Sequence, residues 1–274
     1  MQGLVATIAL FDEGGTVPFI ARYRKEATGN LDEVKIQAIQ EKLEYHRELE
    51  DRKSTVLDSI KEQGKLTPEL QTRIEKTLDK SELEDLYLPY KPKRKTKASV
   101  AREKGLEPLA LYLWEQQSNG TPLADFAATF VNAELGVSTP AEALEGARHI
   151  IAEMLSENAD YRKAIRQLML ERGKVVSKAI PGMVDPEDKY KMYAEFSELA
   201  KTIPSHRMLA IRRGAKEGFL HFEIELDRDE TVAWLRSRII REPGEWEGHL
   251  ADAIEDGYDR LLNPSIQTEI RLEL

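Results

Sequence analysis

PAEALEGARHIIAEMLSENADYRKAIRQLMLER, residues 140–172, is the stretch on which the fold class turns. Leu144, Ala147, Ile151, Met154, Asn158, Tyr161, Ile165 and Leu168 recur at alternating spacings of three and four, which lays them on one seam of an α-helix. Thr139 stands where an N-cap belongs, Glu142 completes the capping-box spacing, and Gly173 is a stop signal. Read as one helix, these 33 residues predict a rod of roughly 50 Å at about 1.5 Å per residue. A spine of that length predicts a mainly α protein, a helical scaffold, in place of a sandwich or barrel with its many short alternating strands.

Upstream, the pattern stays helical. A helix over about Leu4 to Glu13, the Gly14-Gly15 turn and a short helix from Thr16 to about Glu26 form a helix-turn-helix-like element. Asn30 and Glu33 have capping-box spacing before a long amphipathic run through Ile36, Ile39, Leu43, His46, Leu49, Val56 and Ile60, ended by Gly64. Thr67-Pro68-Glu69 starts another helix, and Ser81 with Glu84 starts the next. The segment YKPKRKTKAS then interrupts all periodicity and reads as an exposed loop kept extended by Pro89 and Pro92. Shorter helices are expected from about Ser99 to Thr129.

Strand signals come only downstream. Lys174 to Ile180 is a β-branched run, and Leu220, Phe222, Ile224 and Leu226 alternate with His221, Glu223 and Glu225. Two strands are too few to stand alone, so a small two- or three-stranded sheet packed on helices is expected. Further helices are predicted at Ser205 to Arg213, Asp229 to Ile240 and Gly244 to Leu262, with an amphipathic tail from Ser265 to Leu274 that lacks a stop signal and reads as the end of a truncated chain. The reading divides the chain into residues 1–138, with the helix-turn-helix-like element and the basic loop, and 139–274, with the long central helix, the small α+β part and acidic closing helices.

Charge is segregated along the chain. The net charge is −9, yet residues 91–104 carry seven basic residues and one acidic, and residues 223–274 carry fourteen acidic and six basic. Such a molecule can turn one basic face to phosphates. Lys91, Lys93, Arg94, Lys95 and Lys97 are the first candidate nucleic-acid contacts, with Tyr87 and Tyr90 beside them as rings on which unpaired bases can stack. Arg22, Arg24 and Lys25 form a second candidate cluster, which reads more simply as the wet face of a short amphipathic helix. Arg212 and Arg213 form a third basic spot at an expected helix C-terminus, where cations also favour the helix dipole. A loop of this kind meets backbone, not base edges, because readout needs a rigid element to aim the side chains.

Catalytic patterns are missing. Cysteine is absent, which excludes disulfides and thiolate chemistry. Phosphate-cradling glycine loops and nucleophile elbows are absent too. Glu145, His149 and Glu153 share one helical face, but no second segment supplies matching metal ligands, and an ordinary polar face explains them. No cofactor is expected. No stretch reaches the roughly 18 to 20 apolar residues of a membrane helix and no secretory leader is visible, so cytoplasmic residence is the expectation.

Three stretches resemble the Tex family of transcription accessory proteins: TVPFIARYRKEATGNLDE (16–33), LEDLYLPYKPKRKTKASVAREKGLEPLA (83–110) and IPSHRMLAIRRGAKEGFL (203–220). The resemblance covers essentially the whole chain. It implies a helical amino-terminal region with a helix-turn-helix-like element and a long central helix. It also implies ribonuclease-H-like, helix-hairpin-helix and S1-type RNA-binding domains beyond Leu274. The resulting expectation is a non-catalytic scaffold making sequence-independent RNA or DNA contacts. The alternative is a platform that docks other domains of the same protein, or transcription machinery, without binding nucleic acid.

Overall fold

Asn158 decides the shape of the central stretch. In the computed structural model, which describes residues 2–116, 120–183, 185 and 188–273, its side chain accepts from the backbone N–H groups of Asp160 (3.0 Å) and Tyr161 (3.1 Å). That is an N-cap in the middle of the periodic run. The expected single rod is therefore two helices, α10 (Pro140–Ser156) and α11 (Ala159–Arg172). Both keep their apolar faces buried, Ile150 and Ile151 in the first and Ile165 and Met169 in the second, so hydrophobic spacing alone carries no sign of the break.

The other helices come in chain order as α1 (Gln2–Asp12), α2 (Val17–Tyr23), α3 (Lys25–Thr28), α4 (Glu33–Glu62), α5 (Pro68–Lys76), α6 (Lys80–Tyr87), α7 (Lys97–Glu103), α8 (Glu107–Glu115) and α9 (Leu123–Ala128). After α11 come α12 (Ser205–Lys216), α13 (Arg228–Ile239), α14 (Glu247–Gly257) and α15 (Asn263–Glu273). The protein is mainly α. Its longest described helix is α4, with 30 residues, and not the stretch after Pro140.

Backbone contacts fall into two compact units, residues 1–90 and 91–274. In the first, α2 buries Val17, Ile20 and Ala21 against Ile36 of α4. Asp32 caps α4 by accepting from Lys35 N (2.8 Å), while Asn30, the expected cap, takes a left-handed φ of 62°. Likewise Asp79, not Ser81, caps α6. Lys53 is the buried charge of α4, holding Glu50 at 2.7 Å and the Glu75 carbonyl at 2.9 Å; His46 is exposed, edge-on to Tyr45.

In the second unit α10 is the hub, packed on α7, α8 and α14. Small residues at the contacts, Ala98, Ala101, Ala143, Ala147 and Ala253, let the backbones approach. Gly257 belongs with them, since a Cβ there would lie 3.0 Å from the Ala152 carbonyl oxygen. Gln116 closes the unit over a long span. Its side-chain amide donates to Ile239 O (2.7 Å) and accepts from Arg241 N (2.8 Å).

The sheet has three antiparallel strands, β1 (Lys174–Ala179), β2 (Glu195–Leu199) and β3 (Leu220–Glu225), in the order β2-β1-β3 with Val175 opposite both Glu198 and Ile224. β2 was not legible because EFSEL has no alternating apolar face. A five-residue π segment, Tyr258–Leu262, joins α14 to α15 and buries Tyr258 and Leu262 in the core around the sheet. α15 docks on α11 through Glu269, which takes both Arg162 and Arg166. Leu274, the last residue of the expected amphipathic tail, lies outside the described residues.

Candidate nucleic-acid interface

The basic loop runs over residues 91–96 and is tied at its exit. Thr96 Oγ1 accepts from Ser99 N (2.9 Å) and the Ser99 hydroxyl accepts from Thr96 N (2.8 Å), a reciprocal capping box that starts α7 at Lys97. Thr96 Oγ1 also donates to Glu153 Oε1 (3.0 Å), which pins the loop to α10.

Its cations are not equivalent. Lys93 turns inward to Glu153 (3.5 Å) and pairs with Glu157 beside the α10–α11 break. Arg102 of α7 reaches Glu153 as well. The Glu153 side chain is only 6% exposed. Its burial works to raise the carboxyl, but the Arg102 hydrogen bond and the charge of Lys93 outweigh it and hold Glu153 below the usual carboxylate range. Burial wins at Glu157, which is pushed up despite Lys93 and with the charge of Glu153 adding to the effect.

Outward-facing charge remains on three residues. Lys95 has one loose, exposed partner, Glu103 at 3.5 Å. Arg94 and Lys97 are exposed and make no ion pair among the described residues. Lys91 is only partly exposed at the start of the loop. Lys95, Lys97 and Lys104 line a cleft of about 740 Å³ together with Glu142, Glu145 and His149.

His149 holds no metal-site geometry with its neighbours. Its nearest carboxylates are Glu145 at 3.8 Å and Asp256 at 3.9 Å, and Glu153 is committed to Arg102 and Thr96. Burial lowers the His149 pKa, and the charge of Lys97 lowers it further.

The two tyrosines before the loop are partly covered. Tyr87 shares a hydrogen bond with Ser59 (2.9 Å) and lies under the Arg52 guanidinium at 5.4 Å; Tyr90 is half-buried. Exposed rings occur instead in the first unit, at Phe19 and Tyr23 of α2, beside Arg22, Arg24 and Lys25. All three cations are exposed and without an ion pair among the described residues. The signal was present in the sequence as FIARYRK, two rings four residues apart among cations.

A family model described as the Tex-like protein N-terminal domain matches residues 2–61, and one described as Tex central region-like matches residues 119–269. The chain belongs to the Tex family. It is 46% identical to protein YdcI of Bacillus subtilis over 98% of its own length and 38% of that protein's. It is 43% identical to the transcriptional accessory protein Tex of Neisseria gonorrhoeae, covering 82% of this chain and 29% of that one. The human S1 RNA-binding domain-containing protein 1 is 30% identical over 97% of this chain and 28% of the human one. This Tex-family chain thus spans between about a quarter and two-fifths of the length of these relatives. Arg22, Arg24 and Lys25 fall within the first matched stretch, and the loop of residues 91–97 lies between the two. No described helix is long and apolar enough to cross a membrane.

Proposed function

We propose that this Tex-family chain is a non-catalytic scaffold of a cytoplasmic transcription accessory protein that touches the backbone of RNA or DNA through Arg94, Lys95 and Lys97. The observation that carries the reading is the exposure of Arg94 and Lys97, without ion pairs among the described residues, on a loop whose exit is fixed by the Thr96–Ser99 box. Exposed cations without tight ion pairs displace counterions from phosphates with little internal pairing to break. A relative named for an S1 RNA-binding domain agrees in setting. Lys93 is assigned to holding the loop and not to the ligand.

The test is a titration of labelled single-stranded RNA and a matched DNA duplex at two salt concentrations. A variant carrying Arg94→Glu, Lys95→Glu and Lys97→Glu runs alongside. Three phosphates engaged give a log–log salt slope of about −2 to −3, and the variant loses that slope. Binding indifferent to salt, or to the variant, overturns the reading.

One observation favours the alternative of a protein-docking platform with no nucleic-acid contact. Met192 just before β2, Leu199 in β2, an outer strand of the sheet, and Leu209 of α12 are exposed. Absence of nucleic-acid binding at low salt, with retained association to the remaining portions of a full-length relative or to transcription machinery, supports that platform.

A further inference from the structure

α2 is a short helix with two unlike faces. Val17, Ile20 and Ala21 bury against α4, and helical spacing then places Phe19 and Tyr23, at i and i+4, away from that contact. Phe19 is 41% exposed and Tyr23 is 67% exposed. Their ring centroids are 5.5 Å apart at a 45° tilt, so they form one continuous ridge. An isolated exposed ring needs no explanation, but two adjacent ones on a face that could have been polar do.

The surroundings of the ridge are cationic. The Arg24 guanidinium stands 5.1 Å from the Phe19 ring centre and donates to the Tyr23 carbonyl at 3.3 Å, which fixes a planar cation against the aromatic face. Arg22 and Lys25 flank it. Beside Phe19 and Arg24 lies a cleft of about 460 Å³, floored by the Gly14-Gly15 turn and bordered by Thr16. Thr16 precedes α2 at the cleft, exposed, and its hydroxyl makes no capping bond. Glu13 is the anion among the lining residues, on the side of the turn away from the three cations in sequence.

Exposed rings interleaved with cations that make no ion pair among the described residues are the components of a surface for unpaired nucleotides, in which each base has a face to stack and each phosphate a charge to meet. We propose that Phe19 and Tyr23, with Arg22, Arg24 and Lys25, form a stacking platform for single-stranded nucleic acid in the first unit. A duplex keeps its bases stacked on one another and cannot use the rings. The platform therefore discriminates single from double strands, which the loop of residues 91–97 does not. It stands independently of that loop, and either surface can fail alone.

The experiment uses the whole chain carrying the three loop charge reversals, so that only the platform is read. Short oligouridine and oligothymidine containing the fluorescent base 2-aminopurine, and a duplex of equal length, are titrated against it. Single-strand binding with quenching of the base is expected, and it falls on the order of tenfold or more in Tyr23→Leu and in Phe19→Leu. Tyr23→Trp keeps both binding and quenching, and the melting temperature of each variant is unchanged because both side chains are exposed. Preference for one of the two oligomers assigns the platform to RNA or DNA. Unchanged single-strand affinity in both leucine variants overturns the proposal, as does an equal loss for strand and duplex or binding without quenching.

Discussion

The Lys93 ammonium lies 3.5 Å from the Glu153 carboxylate and pairs also with Glu157, so the middle of the basic loop is neutralised from inside the protein. Truncating it leaves Glu157, already raised by burial, without its cation. Lys93→Ala is expected to lower folding stability by about 1–3 kcal/mol. It should weaken RNA binding less than Arg94→Ala does. Urea denaturation and the low-salt titration, run on both variants, check the pair of outcomes.

Asn158 separates α10 from α11 by accepting two backbone N–H groups. Asn158→Ala removes both bonds and is expected to cost about 1 kcal/mol, seen as a lower urea midpoint at unchanged slope. Alanine is also the best helix former, so the measurement is two-sided. A higher midpoint would mean that the periodic seam prefers the single rod and that the cap only interrupts it.

Gly257 and Gly248 sit in the same helix and make opposite forecasts. A Cβ on Gly257 meets the Ala152 carbonyl oxygen and Leu155 Cδ2 at 3.0 Å each, whereas one on Gly248 meets nothing within 4 Å. Gly257→Ala must push α14 from α10 and is expected to destabilise by about 1–3 kcal/mol. Gly248→Ala is expected to be neutral or slightly stabilising. Thermal melts of the two variants settle whether close approach, and not glycine content, governs this contact.

Both half-buried histidines of the second unit resist protonation. Burial lowers His149, where Lys97 and Arg260 add to the effect and Asp256 and Glu145 oppose it; burial lowers His249 too, with Arg148 adding and Asp252 opposing. Each folded pKa lies below the ordinary 6.5, so the unfolded chain binds more protons in this range. Their contribution is complete above about pH 6.5 and is lost as pH falls through the folded values. A variant with His149→Gln and His249→Gln should flatten the stability profile between about pH 7 and 5. Parallel melts across that range test it.

Legibility in the sequence followed the range of the interaction. Thr67 caps α5 as its spacing with Pro68 suggested, and β1 and β3 appear where β-branched and alternating runs foretold them. Asp32, Asp79 and Asn158 were harder, because several neighbouring side chains can cap and only backbone geometry picks one. In the basic loop, Lys93 and Arg94 look alike as letters. What separates them is a carboxylate sixty residues away, which no local pattern reports. Glu153 attracted notice for its spacing with His149, yet its partners are Lys93, Thr96 and Arg102.

The clasp of Gln116 on Ile239 and Arg241 has a consequence for the birth of the molecule. All the contacts that define the first unit lie within the first ninety residues, and they can form while the ribosome is still at work. The second unit has to wait, since Gln116 finds its partners only after another 123 to 125 residues have been made. The apolar faces of α8 and α10 that pack on α14 therefore stay open until α14 has been made.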